Sequence, residues 1–188
     1  MRVRSIASLA ILLALGSPAI AAAPVPRQAP EITILDRLGQ ETTLSSLKGQ
    51  VVVIEFLLIR CAGCLRMAQT INQLYSEMAS RGFRPIGIVF DNGVSEPVVR
   101  DLVQLLKLNY TVGFATADEV DRYLGREITE RLQVPQVVVI DRAGVIRAQS
   151  RPSGEADLTN ESYLRNLVRE LLDEGVPPGK SEKSTVPP

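Results

Sequence analysis

The chain alternates between short apolar runs and stretches in which apolar residues recur every three or four positions. The continuous or alternating runs predict three strands, at 51–58, 84–90 and 136–140. The three-to-four spacing predicts amphipathic helices that follow them, at 65–78, 98–106 and 164–172. A strand, helix and strand in succession favour a parallel pair, whereas the turn at 141–144 favours a hairpin with a strand at 145–148. The pattern therefore predicts a mixed sheet with helices available for both faces.

Finer features of the helices also follow from the pattern. In the second helix a buried stripe is expected, made up of Val98, Val99, Leu102, Leu105 and Leu106. Ser95 is expected to cap that helix. The last helix is expected to begin near a cap at Thr159 and to end at Gly175.

The segment before the first long strand predicts an N-terminal hairpin. Ile32 and Ile34 alternate with polar residues, and a turn is expected at 36–39. A second short segment then ends at Gly49. We therefore expect a β-hairpin or an edge strand ahead of the main sheet.

The first 21 residues are typical of a secretory signal. Arg2 and Arg4 precede an apolar stretch at 6–15, and Pro18 and the small residues up to Ala21 follow it. We expect cleavage near Ala21 and export to the periplasm or another extracytoplasmic compartment. An uncleaved membrane anchor is the alternative, which the break at Pro18 disfavours.

Composition favours a single globular domain at 22–175. The 188 residues carry 21 basic and 21 acidic side chains, and without the leader the chain is slightly acidic, so nothing indicates a nucleic-acid partner. The polar, proline-rich end at 176–188 has no periodicity and is expected to be disordered.

Cys61 and Cys64 are the only cysteines, and they lie where a helix is predicted to begin. At that spacing the second sulfur lies about one turn behind the first, and the helix dipole favours the first as thiolate. A zinc site needs about four Cys or His ligands, and the chain has no His, so no metal is expected. Haem attachment is excluded because Leu65 replaces the required His. A redox role is favoured, and an inert disulfide remains the alternative.

Three motifs together resemble the thioredoxin-like family, and within it the secreted, TlpA-type thiol-disulfide oxidoreductases of the redoxin branch. They are the run from Lys48-Gly49 to Phe56, the Cys61-x-x-Cys64 pair, and the segment from Val134-Pro135 to Gly144. The resemblance covers nearly the whole chain after the leader. It implies a thioredoxin-like α/β fold, with a central mixed β-sheet flanked by helices on both faces and an N-terminal β-hairpin extension.

The same resemblance implies roles for individual residues. Cys61 would be the exposed attacking thiol and Cys64 the buried resolving one. Pro135 would occupy the family's cis-proline position and offer the backbone of Val134 to an extended substrate segment. The alternative for Pro135 is an ordinary proline at the start of a strand.

Glu55 lies inside an apolar strand, six residues before Cys61, where many thioredoxins hold a buried acid. Burial should raise the pKa of its carboxyl, which would then take the proton from Cys64. A solvated glutamate at a sheet edge is the alternative. Arg60 replaces the usual tryptophan, and its charge would stabilise the Cys61 thiolate.

The implied function is exchange of disulfides with the thiols and disulfides of other proteins, with a membrane electron donor upstream. The redox-active disulfide is the only reactive group expected, with no separate cofactor. Two alternatives stay open. One is a secreted binding module with a vestigial or structural disulfide; the other is a peroxiredoxin, which Leu58 disfavours because that family has threonine three residues before its cysteine.

Overall fold

The computed structural model describes residues 23–35, 39–126, 129–151 and 157–174. The predicted signal segment at 1–21 and the predicted tail at 176–188 lie outside these ranges, as does most of the predicted turn at 36–39.

The described residues form eight strands and four α-helices. The strands are β1 (Arg27–Gln28), β2 (Thr33–Leu35), β3 (Glu41–Thr43), β4 (Val51–Leu57), β5 (Phe83–Val89), β6 (Thr111–Phe114), β7 (Gln136–Ile140) and β8 (Val145–Gln149). The helices are α1 (Ala62–Met78), α2 (Glu96–Leu106), α3 (Ala117–Leu124) and α4 (Glu161–Asp173). No helix in the described part of the chain is long and apolar enough to cross a membrane.

Six strands form one mixed sheet in the order β1-β8-β7-β4-β5-β6. Strands β4, β5 and β6 are parallel, whereas β7 runs antiparallel to β4, and β8 antiparallel to β7. Strands β2 and β3 form a separate antiparallel hairpin. The predicted thioredoxin-like fold, with its N-terminal hairpin, is confirmed.

Strand β4 is buried along its whole length because both of its faces are covered. Val53 and Leu57 pack in a cluster with residues of α1, α2 and α4. Ile54 and Phe56 pack on the opposite face with residues of α3 and the hairpin. A strand buried on both faces reads as a continuous apolar run, which explains the sequence of β4.

The buried face of α2 is narrower than expected. Val99 and Leu102 are buried, but Val98 is 39% and Leu105 is 76% exposed. Successive helix residues are about 100° apart, so the face that contains Val99 and Leu102 leaves the other two toward solvent. The expected stripe was therefore too wide by these two residues.

The helix caps also differ in part. Ser95 occupies the N-cap of α2, but its side chain makes no capping hydrogen bond. Helix α4 is capped by Asn160, next to the predicted position at Thr159, and the Asn160 side-chain oxygen accepts a hydrogen bond from the Tyr163 N–H at 3.1 Å. Ser, Thr and Asn cap helices almost equally well, so the pattern alone does not fix the position. The predicted end of this helix at Gly175 lies outside the described residues.

The hairpin packs directly on β6. Gly113 is buried in the middle of that strand, and a Cβ atom at this position would overlap the Ile34 side chain and the backbone oxygen of Leu35. The absence of a side chain at Gly113 therefore sets how closely the hairpin approaches the sheet.

We expect Gly113→Ala to lower the free energy of unfolding by about 1–3 kcal/mol, because the hairpin must move away from β6 to accommodate the methyl group. Urea denaturation measures this loss. Ile34→Ala provides the control: in the double variant part of the overlap is gone, so the total loss should be smaller than the sum of the two single losses. Strict additivity would contradict the close packing.

Candidate active site

The two cysteines lie where β4 ends and α1 begins. The Cys61 N–H donates to the Leu58 carbonyl at 3.1 Å, which forms the turn between these elements. Cys61 is the N-cap residue of α1, and its Sγ accepts a hydrogen bond from the Cys64 N–H at 3.1 Å. The two residues form a disulfide, with their Cα atoms 5.2 Å apart.

The two sulfur-bearing residues differ in burial. Cys64 is 0% exposed and belongs to the packed cluster that covers one face of β4. Cys61 is only half-buried. A reactant that approaches from solvent therefore meets Cys61 first.

Val134 and Pro135 lie against the cysteines although they are more than 70 residues away in sequence. The Val134–Pro135 peptide bond is cis. The Val134 carbonyl oxygen is 3.9 Å from Cys61 Sγ. A Cβ atom on Gly63 would lie 3.7 Å from Pro135 Cδ, so this proline faces the first turn of α1. Pro135 also immediately precedes β7, so it is at once a strand-start proline and a neighbour of the disulfide.

Gln136 supports this loop through hydrogen bonds from its buried side chain, a role that the sequence did not predict. Its side chain is completely buried, and its Nε2 donates to the carbonyl oxygens of Gln133 at 2.5 Å and Arg151 at 3.1 Å. Its Oε1 has no partner among the described residues. The sequence signal that could have identified this residue is its polar side chain at the start of the apolar run that follows Pro135.

Asp91 supports the other side of the site and was also missed. It follows β5, and its Oδ2 accepts a hydrogen bond from the Ile59 N–H at 2.8 Å. This bond fixes the segment that leads to Cys61. Parallel strands end at the same edge of a sheet, so an acid after β5 was a usable signal.

Glu55 is fully buried, which excludes a solvated glutamate at an edge. Along β4 it shares a face with Val53 and Leu57, the face that α1 covers. It lies between Gly87 of β5 and Val137 of β7 in the sheet register. Neither carboxyl oxygen has a hydrogen-bond partner among the described residues. Burial raises the pKa of this carboxyl well above its ordinary value.

Tyr110 connects the surroundings of Glu55 to α1. A Cβ atom on Gly87 would lie 3.2 Å from the Val112 side chain and 3.5 Å from the Tyr110 ring, so these two side chains occupy the space that this glycine leaves beside Glu55. The Tyr110 hydroxyl donates to the Ala68 carbonyl at 3.4 Å, one turn after Cys64. Burial raises the pKa of the Tyr110 hydroxyl, and the nearby Glu55 charge adds to this effect.

Arg60 is exposed directly before Cys61. Of the predicted site residues, the structure thus places Arg60, Val134 and Pro135 around Cys61, with Cys64 beneath. Glu55 lies deeper, under α1. Within the described ranges, no group of three His, Cys, Asp or Glu side chains is placed to hold a metal ion.

Comparison with known proteins agrees with this geometry. Residues 25–149 match the AhpC/TSA family. A curated relative, the chloroplastic peroxiredoxin Q of Suaeda salsa, is 30% identical over 145 residues, which are 73% of this chain. The chain spans 66% of the length of that relative.

Solved structures share the fold. A candidate protein disulfide isomerase from Bacteroides thetaiotaomicron is 27% identical with a TM-score of 0.68, covering 82% of this chain and 94% of that one. A thiol:disulfide interchange protein of the thioredoxin family from Chlorobium tepidum TLS is 23% identical with a TM-score of 0.64, covering 80% and 99%. The chain therefore belongs to the AhpC/TSA family, with a thioredoxin-like fold and a close Cys61–Cys64 pair.

Proposed function

We propose that the protein is an exported thiol-disulfide oxidoreductase that exchanges disulfides with partner proteins. The observation that carries this proposal is the unequal burial of the two cysteines at the start of α1: one sulfur is open to a reactant and the other is held behind it. The leader at 1–21 supports export.

In the first step the reduced Cys61 thiolate attacks one sulfur of a client disulfide. A bond forms between Cys61 Sγ and that sulfur, and the client's own disulfide bond breaks. The released client thiolate takes a proton from water. The N-terminus of α1 and the neighbouring Arg60 favour the thiolate form of Cys61 before attack.

In the second step Cys64 resolves the mixed disulfide. Its thiol gives a proton to the Glu55 carboxylate, and the resulting thiolate attacks Cys61 Sγ. The bond between Cys61 and the client breaks, and the Cys61–Cys64 disulfide closes. The departing client thiolate takes a proton from water, so the client leaves as a dithiol. The raised pKa of Glu55 makes its ionised form a stronger base than an exposed carboxylate, which suits this transfer.

The backbone of Val134 is the proposed docking point for the client. Its carbonyl lies beside Cys61, and β7 begins only at Gln136. No backbone hydrogen bond engages Val134 within the described part of the chain. An extended client segment would therefore pair there as an added strand.

The oxidised protein must be reduced before it can act again. In an oxidising compartment this requires a source of electrons, and we assign it to a membrane-bound dithiol donor that reduces Cys61–Cys64 by the same exchange chemistry. The Cys61–Cys64 pair, as a dithiol, carries the two electrons, so the proposal needs no further cofactor.

The peroxiredoxin relative makes peroxide reduction a second candidate. In that reaction Cys61 would attack a peroxide oxygen. Leu58 stands three residues before Cys61 and provides no hydroxyl group to orient the peroxide. The rates at which hydrogen peroxide and a disulfide peptide oxidise the reduced protein distinguish the two activities.

We expect Cys64→Ser to accumulate mixed disulfides with client proteins, because Cys61 still attacks but nothing resolves the product. Cys61→Ser should accumulate few, because the remaining thiol is buried. Non-reducing gel electrophoresis after a brief reaction measures both. Equal accumulation would contradict the division of roles, and none in either variant would favour the inert disulfide.

Glu55→Gln should slow the release of client from the mixed disulfide near neutral pH, because Cys64 loses its proton acceptor. Rapid-mixing kinetics with a disulfide peptide measures the resolution step separately from the attack step. Glu41→Gln removes an exposed carboxyl on β3 and serves as the control. A resolution rate in Glu55→Gln that matches the control across the pH range would rule out the proton-accepting role.

Stability should also depend on the protonation of Glu55. Folding raises the pKa of this carboxyl, so the native state holds the proton more tightly than the unfolded chain, whose carboxyl titrates near 4.5. The stabilisation is complete below that value and declines as pH rises toward the folded-state pKa, by at most about 1.4 kcal/mol per pH unit. Urea denaturation of the oxidised protein should show this decline in the native sequence and in Glu41→Gln. The same decline in Glu55→Gln would assign it to another group.

A further inference from the structure

Five arginines that lie away from the cysteines form ion pairs with carboxylates. The ion pairs are Arg81–Asp173, Arg100–Glu96, Arg126–Asp121, Arg147–Glu174 and Arg165–Glu77. At these five positions the arginine charge is matched by a nearby acid.

Three other arginines lie near the cysteines or near Val134 along the chain. Arg60, Arg66 and Arg131 are exposed, and none forms an ion pair with a described carboxylate. A Cβ atom on Gly63 would lie 4.0 Å from Arg66 Nη2 and 3.8 Å from Cys61 Sγ, which places this guanidinium beside the disulfide. We call Arg60, Arg66 and Arg131 the arginine rim.

Position in the sequence also places the other two residues of the arginine rim near the site. Arg60 immediately precedes Cys61. Arg131 lies three residues before Val134, whose carbonyl contacts Cys61 Sγ. Arg60 and Arg66 therefore flank Cys61. Three residues of chain, at most about 11 Å, separate Arg131 from Val134.

Other groups near the site do not cancel this charge. The first turn of α1 contains no acidic residue, so the positive end of the helix dipole adds to the arginines. Asp91 already accepts a hydrogen bond from the Ile59 N–H, and Glu55 is buried. Glu127 and Glu130 are the carboxylates close to Arg131 in sequence. Directly around Cys61, Arg60, Arg66 and the N-terminus of α1 thus contribute positive charge among the described residues.

We propose that the clients of this protein carry acidic residues beside the disulfide that Cys61 attacks. This inference rests on the proposed function and specifies its substrate class. Opposite charges attract over about 10 Å at moderate salt, so a segment with Asp or Glu near its disulfide would be drawn toward Cys61 before docking at Val134. A lysine-rich segment would be repelled from the same place.

The test uses three synthetic peptides that each contain one disulfide and differ only in its flanking residues, which are Glu, Gln or Lys. The rate constant for reduction by the fully reduced protein is measured at low and high salt. We expect the order Glu, then Gln, then Lys, with at least about a fivefold difference between Glu and Lys at low salt. The difference should shrink as salt rises.

Variants separate the effect of the arginine rim from the intrinsic reactivity of the peptides. For each variant, the rate constant for the Glu peptide is divided by that for the Gln peptide, and this ratio is compared between variants. Arg66→Gln and Arg131→Gln should each lower that ratio, and the double variant should bring it close to the ratio of the peptides' rates at high salt. Arg100→Gln removes an arginine of α2 and should leave the ratio unchanged. Arg60 is left intact because its loss would also alter the Cys61 thiolate.

The outcomes are distinguishable. Reduction of all three peptides at one rate, or a ratio that the double variant does not change, would overturn the acidic preference while disulfide exchange itself stands. Failure to reduce any peptide would overturn the proposed function and the inference that rests on it. A ratio that falls with Arg66→Gln and Arg131→Gln but not with Arg100→Gln would support the arginine rim.

Discussion

The burial of β4 on both faces is the constraint on which the rest of the molecule depends. Covered by α1 on one side and by α3 and the hairpin on the other, this strand has one possible register between β5 and β7. A shift by one residue would exchange its two faces and move Glu55 from beneath α1 to the other layer. The fixed end of β4 therefore determines where Cys61 lies and what lies under Cys64.

The site nevertheless needs segments that are distant in sequence. Asp91 holds the turn before Cys61 from the end of β5, and Gln136 holds the Val134 loop from the start of β7. Both use buried or half-buried polar groups bonded to backbone atoms, which makes them rigid supports rather than reactants. The position of the Val134 carbonyl next to Cys61 is thus a product of three strands rather than of one motif.

The sequence predicts the elements whose signal is local. The apolar run of β4, the periodicity of α1 and the Cys61–Cys64 spacing each reflect neighbours along the chain, and each is confirmed as structure. The supports contributed by Asp91, Gln136 and Tyr110 escaped prediction because a single polar or aromatic residue carries no periodicity. The error at Val98 and Leu105 has a related cause: a short helix with many apolar residues fits more than one buried face, and only the packed sheet selects between them.

The edges of the central sheet have a consequence for the proposed exchange with extended polypeptide clients. The outermost strands are short, with two residues in β1 and four in β6. Long open edges invite pairing with any exposed strand, which is a common route to aggregation. Short edge strands have few free backbone groups, so they compete little with the Val134 loop for binding a partially unfolded chain. The short edge strands also lower the risk that the sheets of two copies of the protein pair with each other at high concentration.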